Sequence, residues 1–275
     1  MPSSARALAV ILATLCAFGL IAGCETFTPT DQPLPTIIND LDAAATAQVM
    51  TQNAPPPRFR ERIALPTFES GLDALPGWQY TVIAEFEGVF SGTSRPATAT
   101  TAAQVAYHQL TSARRVTLSA EGSLLTEDAL VSSEAVRIGR DVYLVSEGQC
   151  STVTDTDAAA VVDAGANLLI GGLAEAIPAG ITGVINGESV YRYTFEPGAL
   201  RLASIEAQGD GRVEVVNSEL WFSAERAAVV RLYLTLDVEN ATIFGSQLPV
   251  TGQVIIRYDL TDVGSDPNIS VPFGC

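Results

Sequence analysis

The chain of 275 residues carries 31 acidic side chains against 15 basic ones, a formal net charge of −16, and every basic residue is an arginine. That balance excludes a nucleic-acid partner, which requires a basic footprint, and excludes adhesion to anionic lipid by charge alone. The length suits one large domain of roughly 200 residues beyond any leader and linker.

The first element is a single early cation, Arg6, followed by an apolar run from Ala7 to Ile21. The run is shorter than the ~20 residues that cross a bilayer as a helix, so it reads as an export signal and stands apart from the fold. It ends in "LIAGC", Leu20 to Cys24. This stretch resembles the bacterial lipobox, with aliphatic Leu20 and Ile21, small Ala22 and Gly23, and then the cysteine. The resemblance implies cleavage before Cys24, diacylglycerol on its sulfur, and acylation of the new amino terminus by chains such as palmitate. Two or three chains anchor a protein stably where one is marginal. It also implies a place in the bacterial cell envelope, on the extracytoplasmic side of a membrane. Glu25 is not the aspartate that marks inner-membrane retention in bacteria with two membranes.

From Glu25 to Pro66 come seven prolines, Pro55-Pro56-Pro57 among them, amid Thr, Ala and Gln. Such a composition favours extended chain over a packed core, and only Asp40–Met50 carries a short helical pattern. The expected division is a signal over residues 1–23, a lipidated cysteine with its tether over 24–65, and a folded domain over 66–275.

Within that domain the dominant period is two. "TFESGLDAL" reads as a short helix. "WQYTVIAEF" then sets Trp78, Tyr80, Val82, Ala84 and Phe86 on one face, and "VRIGRDVYLV" reads as a hairpin turning at Gly139-Arg140-Asp141. "DTDAAAVVDAGANLLIGGLAEAIP" breaks the pattern, being apolar nearly all round. With Asp155 or Asp157 as N-cap and Pro178 as stop, it predicts a buried helix from about Asp157 to Ile177. "SVYRYTF" alternates Tyr191, Tyr193 and Phe195 against Arg192 and Thr194, and "GRVEVVNSELWF" follows a predicted Gly209-Asp210-Gly211 turn. In "VVRLYLTLDV", Val230, Leu232, Leu234, Leu236 and Val238 oppose Arg231, Thr235 and Asp237. In "VTGQVIIRYDL", Val254, Ile256, Tyr258 and Leu260 oppose Gln253, Arg257 and Asp259. The predicted fold class is α+β, mainly β: a curved antiparallel half-barrel of about ten or eleven strands with one apolar face and a helical lid across its concave side.

The order of these elements is similar to that of the bacterial lipoprotein-carrier superfamily, the LolA/LolB-like carriers and the LppX/LprG-type lipoproteins. The stretches that carry the likeness are "LDALPGWQYTVIAEFEG", "VRIGRDVYLVSEGQC", "SELWFSAERAAVVRLYLTLDVEN" and "VTGQVIIRYDLTDVG". The resemblance implies a non-catalytic domain that holds lipid or another hydrophobic ligand for transport or envelope maintenance. One departure is Gln149-Cys150, where relatives often place a tryptophan.

With Cys16 lost in the signal and Cys24 lipidated, Cys150 and Cys275 remain as a pair suited to a disulfide in an oxidising compartment; two free thiols are the alternative. Two cysteines and a distant His108 lack the spacing of a metal site. The chain has no G-x-S-x-G elbow, P-loop or dinucleotide fingerprint, so neither catalysis nor a cofactor is expected. Asp155 and Asp157 read as caps, Gly171-Gly172 as a close-packing site, and Asp259, Asp262 and Asp266 as solvated.

What remains is shape. A hollow apolar face gains ~0.8 kcal/mol per buried methylene of a ligand. The candidate lining is Trp78, Tyr80, Val82, Phe86, Val162, Leu169, Leu173, Tyr191, Tyr193, Leu232, Leu234, Val254 and Ile256, with a fully packed core as the alternative. The expected partners are a lipid ligand and, through Cys24, a membrane. The competing reading is a non-catalytic envelope sensor or scaffold of the same fold that contacts a partner protein.

Overall fold

A computed structural model describes residues 61–124, 132–152 and 156–275. The export signal, Cys24, the tether up to residue 60 with its Asp40–Met50 pattern, and Asp155 lie outside the described residues. The strands are β1 (Ile63–Leu65), β2 (Gly77–Phe90), β3 (Pro96–His108), β4 (Ala113–Glu121), β5 (Ser132–Ile138), β6 (Asp141–Ser146) and β7 (Gln149–Thr152). After helix α1 (Thr156–Asp163) come β8 (Ile170–Ile185), β9 (Glu188–Thr194), β10 (Leu200–Leu202), β11 (Ile205–Ser223), β12 (Ala228–Ile243) and β13 (Val250–Thr261). They form one curved, open sheet ordered β1-β8-β9-β11-β12-β13-β2-β3-β4-β5-β6-β7, with β10 also paired to β8. This is a half-barrel.

The sheet follows from alternation. Trp78, Tyr80, Val82, Ala84 and Phe86 of β2 are all buried, and β13 sets Val254 opposite Phe86, Ile256 opposite Ala84 and Tyr258 opposite Val82. Leu232, Leu234 and Leu236 of β12 continue the same inner face. The outer face carries ion pairs such as Arg257–Glu85 and Arg231–Asp259, which contribute little where they are exposed. The predicted hairpin is present, with Ile138 paired to Asp141 across Gly139-Arg140.

Five expectations need correction. The described strands number thirteen because three short ones, β1, β7 and β10, escape a period-two reading. The sheet begins at Ile63, inside the stretch assigned to the tether, because Leu65 pairs with Leu173 of β8. "TFESGLDAL" forms only a 3₁₀ turn at Leu72–Ala74. Gly209-Asp210-Gly211 is a bulge within the continuous β11, since the pairing jumps from Ala207↔Ala241 to Arg212↔Glu239. Asn240 fastens that bulge by donating from Nδ2 to the Gln208 carbonyl at 2.8 Å.

The largest correction concerns the helix predicted to reach Ile177. It stops at Asp163, a 3₁₀ turn follows at Ala166–Leu168, and Ile170 onward is strand β8. The start of β8 is buried, Ile170, Gly172 and Leu173 among it, and β1 and β10 pair along its two edges, Leu173 lying opposite Leu65 on one side and Leu200 on the other. A short run buried all round does not distinguish helix from inner strand. Gly172 decides it locally: its φ of 137° suits glycine and not a helix, and a Cβ there would overlap the Leu65 and Pro66 carbonyls.

Candidate functional site

The segment from α1 into β8, together with residues 66–75, lies against the inner face of the sheet. Val162, Ala166, Ile170 and Leu173 share one core with Phe68, Leu72, Trp78, Tyr80 and Tyr258. Phe68 meets Tyr258 edge to face at 5.9 Å between ring centroids, and Trp78 Nε1 donates to the Leu72 carbonyl at 3.0 Å. Most of the hollow is therefore filled by the protein's own side chains.

A buried polar clamp fixes this covering segment. Arg114 donates to the Val162 carbonyl (2.9 Å), to the Ala164 carbonyl (3.1 Å) and to Glu69 Oε1 (3.0 Å). The Tyr80 hydroxyl donates to the same Glu69 oxygen and accepts from the Ala166 amide at 2.9 Å. Burial opposes the Arg114 charge, but the Glu69 carboxylate outweighs it and holds the guanidinium pKa above its ordinary value. Burial, reinforced by Glu69, also pushes the Tyr80 hydroxyl far above the usual tyrosine range. Gly165 has to be glycine, because a Cβ would overlap the Tyr80 hydroxyl and the Glu69 carboxylate.

Beside the clamp the filling is incomplete. A cavity of about 330 Å³ lies between β3 and β4 on one side and Leu168, Leu169, Ser204 and Phe244 on the other. Its sheet wall is made by inward-facing Thr101 and Ala103, paired with Ala120 and Leu118. The cavity exists because the inner face of β3 is short-limbed: Ala97, Ala99, Thr101 and Ala103 succeed one another there. Leu168 is 57% exposed at the rim. Two larger grooves, of about 590 and 380 Å³, run over the outer face, but polar and charged groups line them, Glu85 and Glu87 in one and Arg115 and Glu134 in the other.

The sequence-derived lining residues are placed as follows. Trp78, Tyr80, Val82, Phe86, Val162, Leu173, Tyr191, Tyr193, Leu232, Leu234, Val254 and Ile256 are buried in the common core. Leu169 is buried there too and also borders the apolar cavity. Thr101, Ala103, Leu118, Ser204 and Phe244 complete the cavity without having been singled out in the sequence. Cys150 and Cys275 form a disulfide, with their Cα atoms 5.4 Å apart. Asp259 is engaged by Arg231 Nε at 2.6 Å and the Tyr233 hydroxyl at 2.8 Å. Asp266 pairs with His108 Nε2 at 3.1 Å, while Nδ1 of that ring contacts Thr111 Oγ1 at 2.9 Å. Among the described residues no group of three or more His, Cys, Asp or Glu side chains could hold a metal ion, and no helix is long and apolar enough to cross a membrane.

No family model and no curated protein matches the chain. Among solved structures it is similar to LprF from Mycobacterium bovis, at 11% identity over 76% of this chain and 94% of that one, with a TM-score of 0.33. It also matches a DUF1329 family protein from Desulfovibrio piger ATCC 29098, at 9% identity over 72% of this chain and 89% of that one, with a TM-score of 0.17. The likeness is one of fold. At these TM-scores and identities neither likeness carries an argument about this chain's family or function.

Proposed function

We propose that the chain is a bacterial envelope lipoprotein, anchored through acylated Cys24, whose domain holds the apolar part of a lipid for transport or envelope maintenance. The observation that carries the reading is the apolar cavity beside Leu168 and Leu169. A pocket of this kind binds by removing apolar surface from water, with a few polar groups setting orientation. Native mass spectrometry of the purified chain should find a co-purified lipid or a lipid taken up from added vesicles. A chain that stays empty under both conditions would overturn the reading. The anchor has its own test: Cys24→Ser should abolish incorporation of labelled palmitate and release the protein from membranes, and continued labelling would refute it.

The second reading, an envelope scaffold that binds a partner protein, is favoured by exposed aliphatic residues along β8. Ile177, Ile181 and Val184 all face solvent there, and such surfaces mark contact sites. An empty chain that still captures an envelope protein through those residues would favour this reading over lipid carriage.

A further inference from the structure

In β9, Tyr191 and Tyr193 are buried on the inner side, so Arg192 and Thr194 point to the outer face of the sheet. Register carries that side to the neighbouring strands. Trp221 of β11 lies opposite Arg192, Ile177 of β8 opposite Thr194, and Gly183 opposite Val190. The half-buried Trp221 ring reaches across β9, and a Cβ on Gly183 would stand 3.4 Å from it and 3.9 Å from Val190. Beside the indole, Ile177 is 45% exposed, and Ile181, two residues before Gly183, is 46% exposed. Both signs of charge rim this patch. Arg62 pairs with Glu175 at 2.7 Å, and Glu219 accepts from the indole nitrogen. Arg192 takes no partner among the described residues, and Glu196 lies exposed two residues beyond Thr194.

The point at which the chain enters the fold says what covers the patch. Ile63 pairs with Ala176, the neighbour of Ile177, and Arg62 reaches Glu175. The segment leading back to Cys24 therefore joins the sheet at the border of the patch. An anchor at Cys24 holds the domain by this corner, and the tether keeps headgroups at a high local concentration, so a surface too weak to bind from solution can bind there. Solvent-facing aliphatics, a tryptophan and charges of both signs suit a zwitterionic interface, whereas the net charge of −16 opposes an anionic one. Resting on the anchored-lipoprotein reading, we propose that the outer face at Ile177, Ile181 and Trp221 docks on the zwitterionic surface of the bilayer that holds the anchor. The two isoleucines enter the acyl boundary, and the indole lies at the level of the headgroups.

The chain carries its own probe, because its other tryptophan, Trp78, is buried in the inner core. The purified full chain is reconstituted on vesicles of phosphatidylcholine brominated in the acyl chains. Its tryptophan emission should fall relative to the same vesicles without bromine. Trp221→Phe should remove that quenching, which assigns it to the patch and not to Trp78. Ile177→Glu combined with Ile181→Glu should reduce it at least about threefold, while acylation, flotation with the vesicles and lipid uptake stay unchanged. Raising the salt about tenfold should leave it unchanged, since apolar burial and not charge holds the contact. A chain that floats with the vesicles while Trp221 stays unquenched overturns the docking and leaves the anchor standing. So does quenching that persists in the double Glu variant, or capture of an envelope protein through the two isoleucines in place of quenching. A chain that is neither acylated nor carried up by vesicles loses anchor and docking together, whereas quenching of an unacylated chain strikes the anchor alone.

Discussion

Two tyrosines on the inner face resolve the same problem differently. Tyr80 is buried but paired, its hydroxyl shared between Glu69 and the Ala166 amide. Tyr258 is fully buried with its hydroxyl unpaired among the described residues. Burial raises the pKa of both, well above the ordinary value for Tyr258. An acid whose folded pKa is raised keeps its proton after the unfolded chain has lost it. Their contribution is therefore complete below the unfolded tyrosine pKa of about 10 and drains away as pH rises beyond it. Tyr258→Phe removes an unpaired group, so stability at neutral pH should be unchanged or should rise by about 1–3 kcal/mol. The fall in stability between about pH 9 and 11 should be smaller than in the parent chain. Urea titrations across that range provide the measurement. A loss above about 1 kcal/mol at neutral pH would show that the hydroxyl has a partner, such as an ordered water.

At the scale of elements, the strands were legible and their covering was not. β2, β12 and β13 alternate large apolar with polar residues, and their inward positions follow directly from period two. β8 defeated that reading because its start is buried while the exposed positions further along carry aliphatic Ile177, Ile181 and Val184, so no polar alternation marks the wet side; what looked like a helical lid is a short helix, a 3₁₀ turn and the start of a strand. The cavity depends on that covering, so it too was beyond the sequence, although β3 held a usable sign. Its inner face runs Ala97, Ala99, Thr101, Ala103, too small to meet what lies across from it. The contrast between β3 and β2 yields a paired prediction. Ala84 is fully buried in packed core, whereas Ala103 lines the cavity. Ala84→Leu should overpack and cost about 1–3 kcal/mol. Ala103→Leu should cost less than that and abolish lipid uptake. Thermal unfolding and lipid uptake on both variants decide it; equal destabilisation by the two changes would mean that the space beside Ala103 is not available to a ligand.

Across the whole molecule, the sheet order places β13 between β12 and β2, far from either end of the sheet. The chain nevertheless ends at the opposite margin, because Cys275 is bonded to Cys150 in β7, the last strand of the path. Residues 262–275 thus span the five strands from β2 to β6. They are fastened on the way by the Gly264 amide to the Gly77 carbonyl at 2.8 Å and by Asp266 to His108. The bridge joins residues 125 apart in sequence, a loop for which the chain-entropy account gives about 4–5 kcal/mol. Its local effect should be larger than its global one, since β6 and β7 are short and, among the described residues, β7 has a strand neighbour on one side only. Cys275→Ser should therefore lower stability by a few kcal/mol, up to that ceiling. It should also speed amide exchange in β6 and β7 well before β12 and β13 respond. Lipid uptake should survive, because the cavity walls belong to β3, β4 and the segment before β8 rather than to the β7 margin. Uniform exchange across the sheet with a loss below about 1 kcal/mol would show that the terminal segment is held by its other contacts and not by the disulfide.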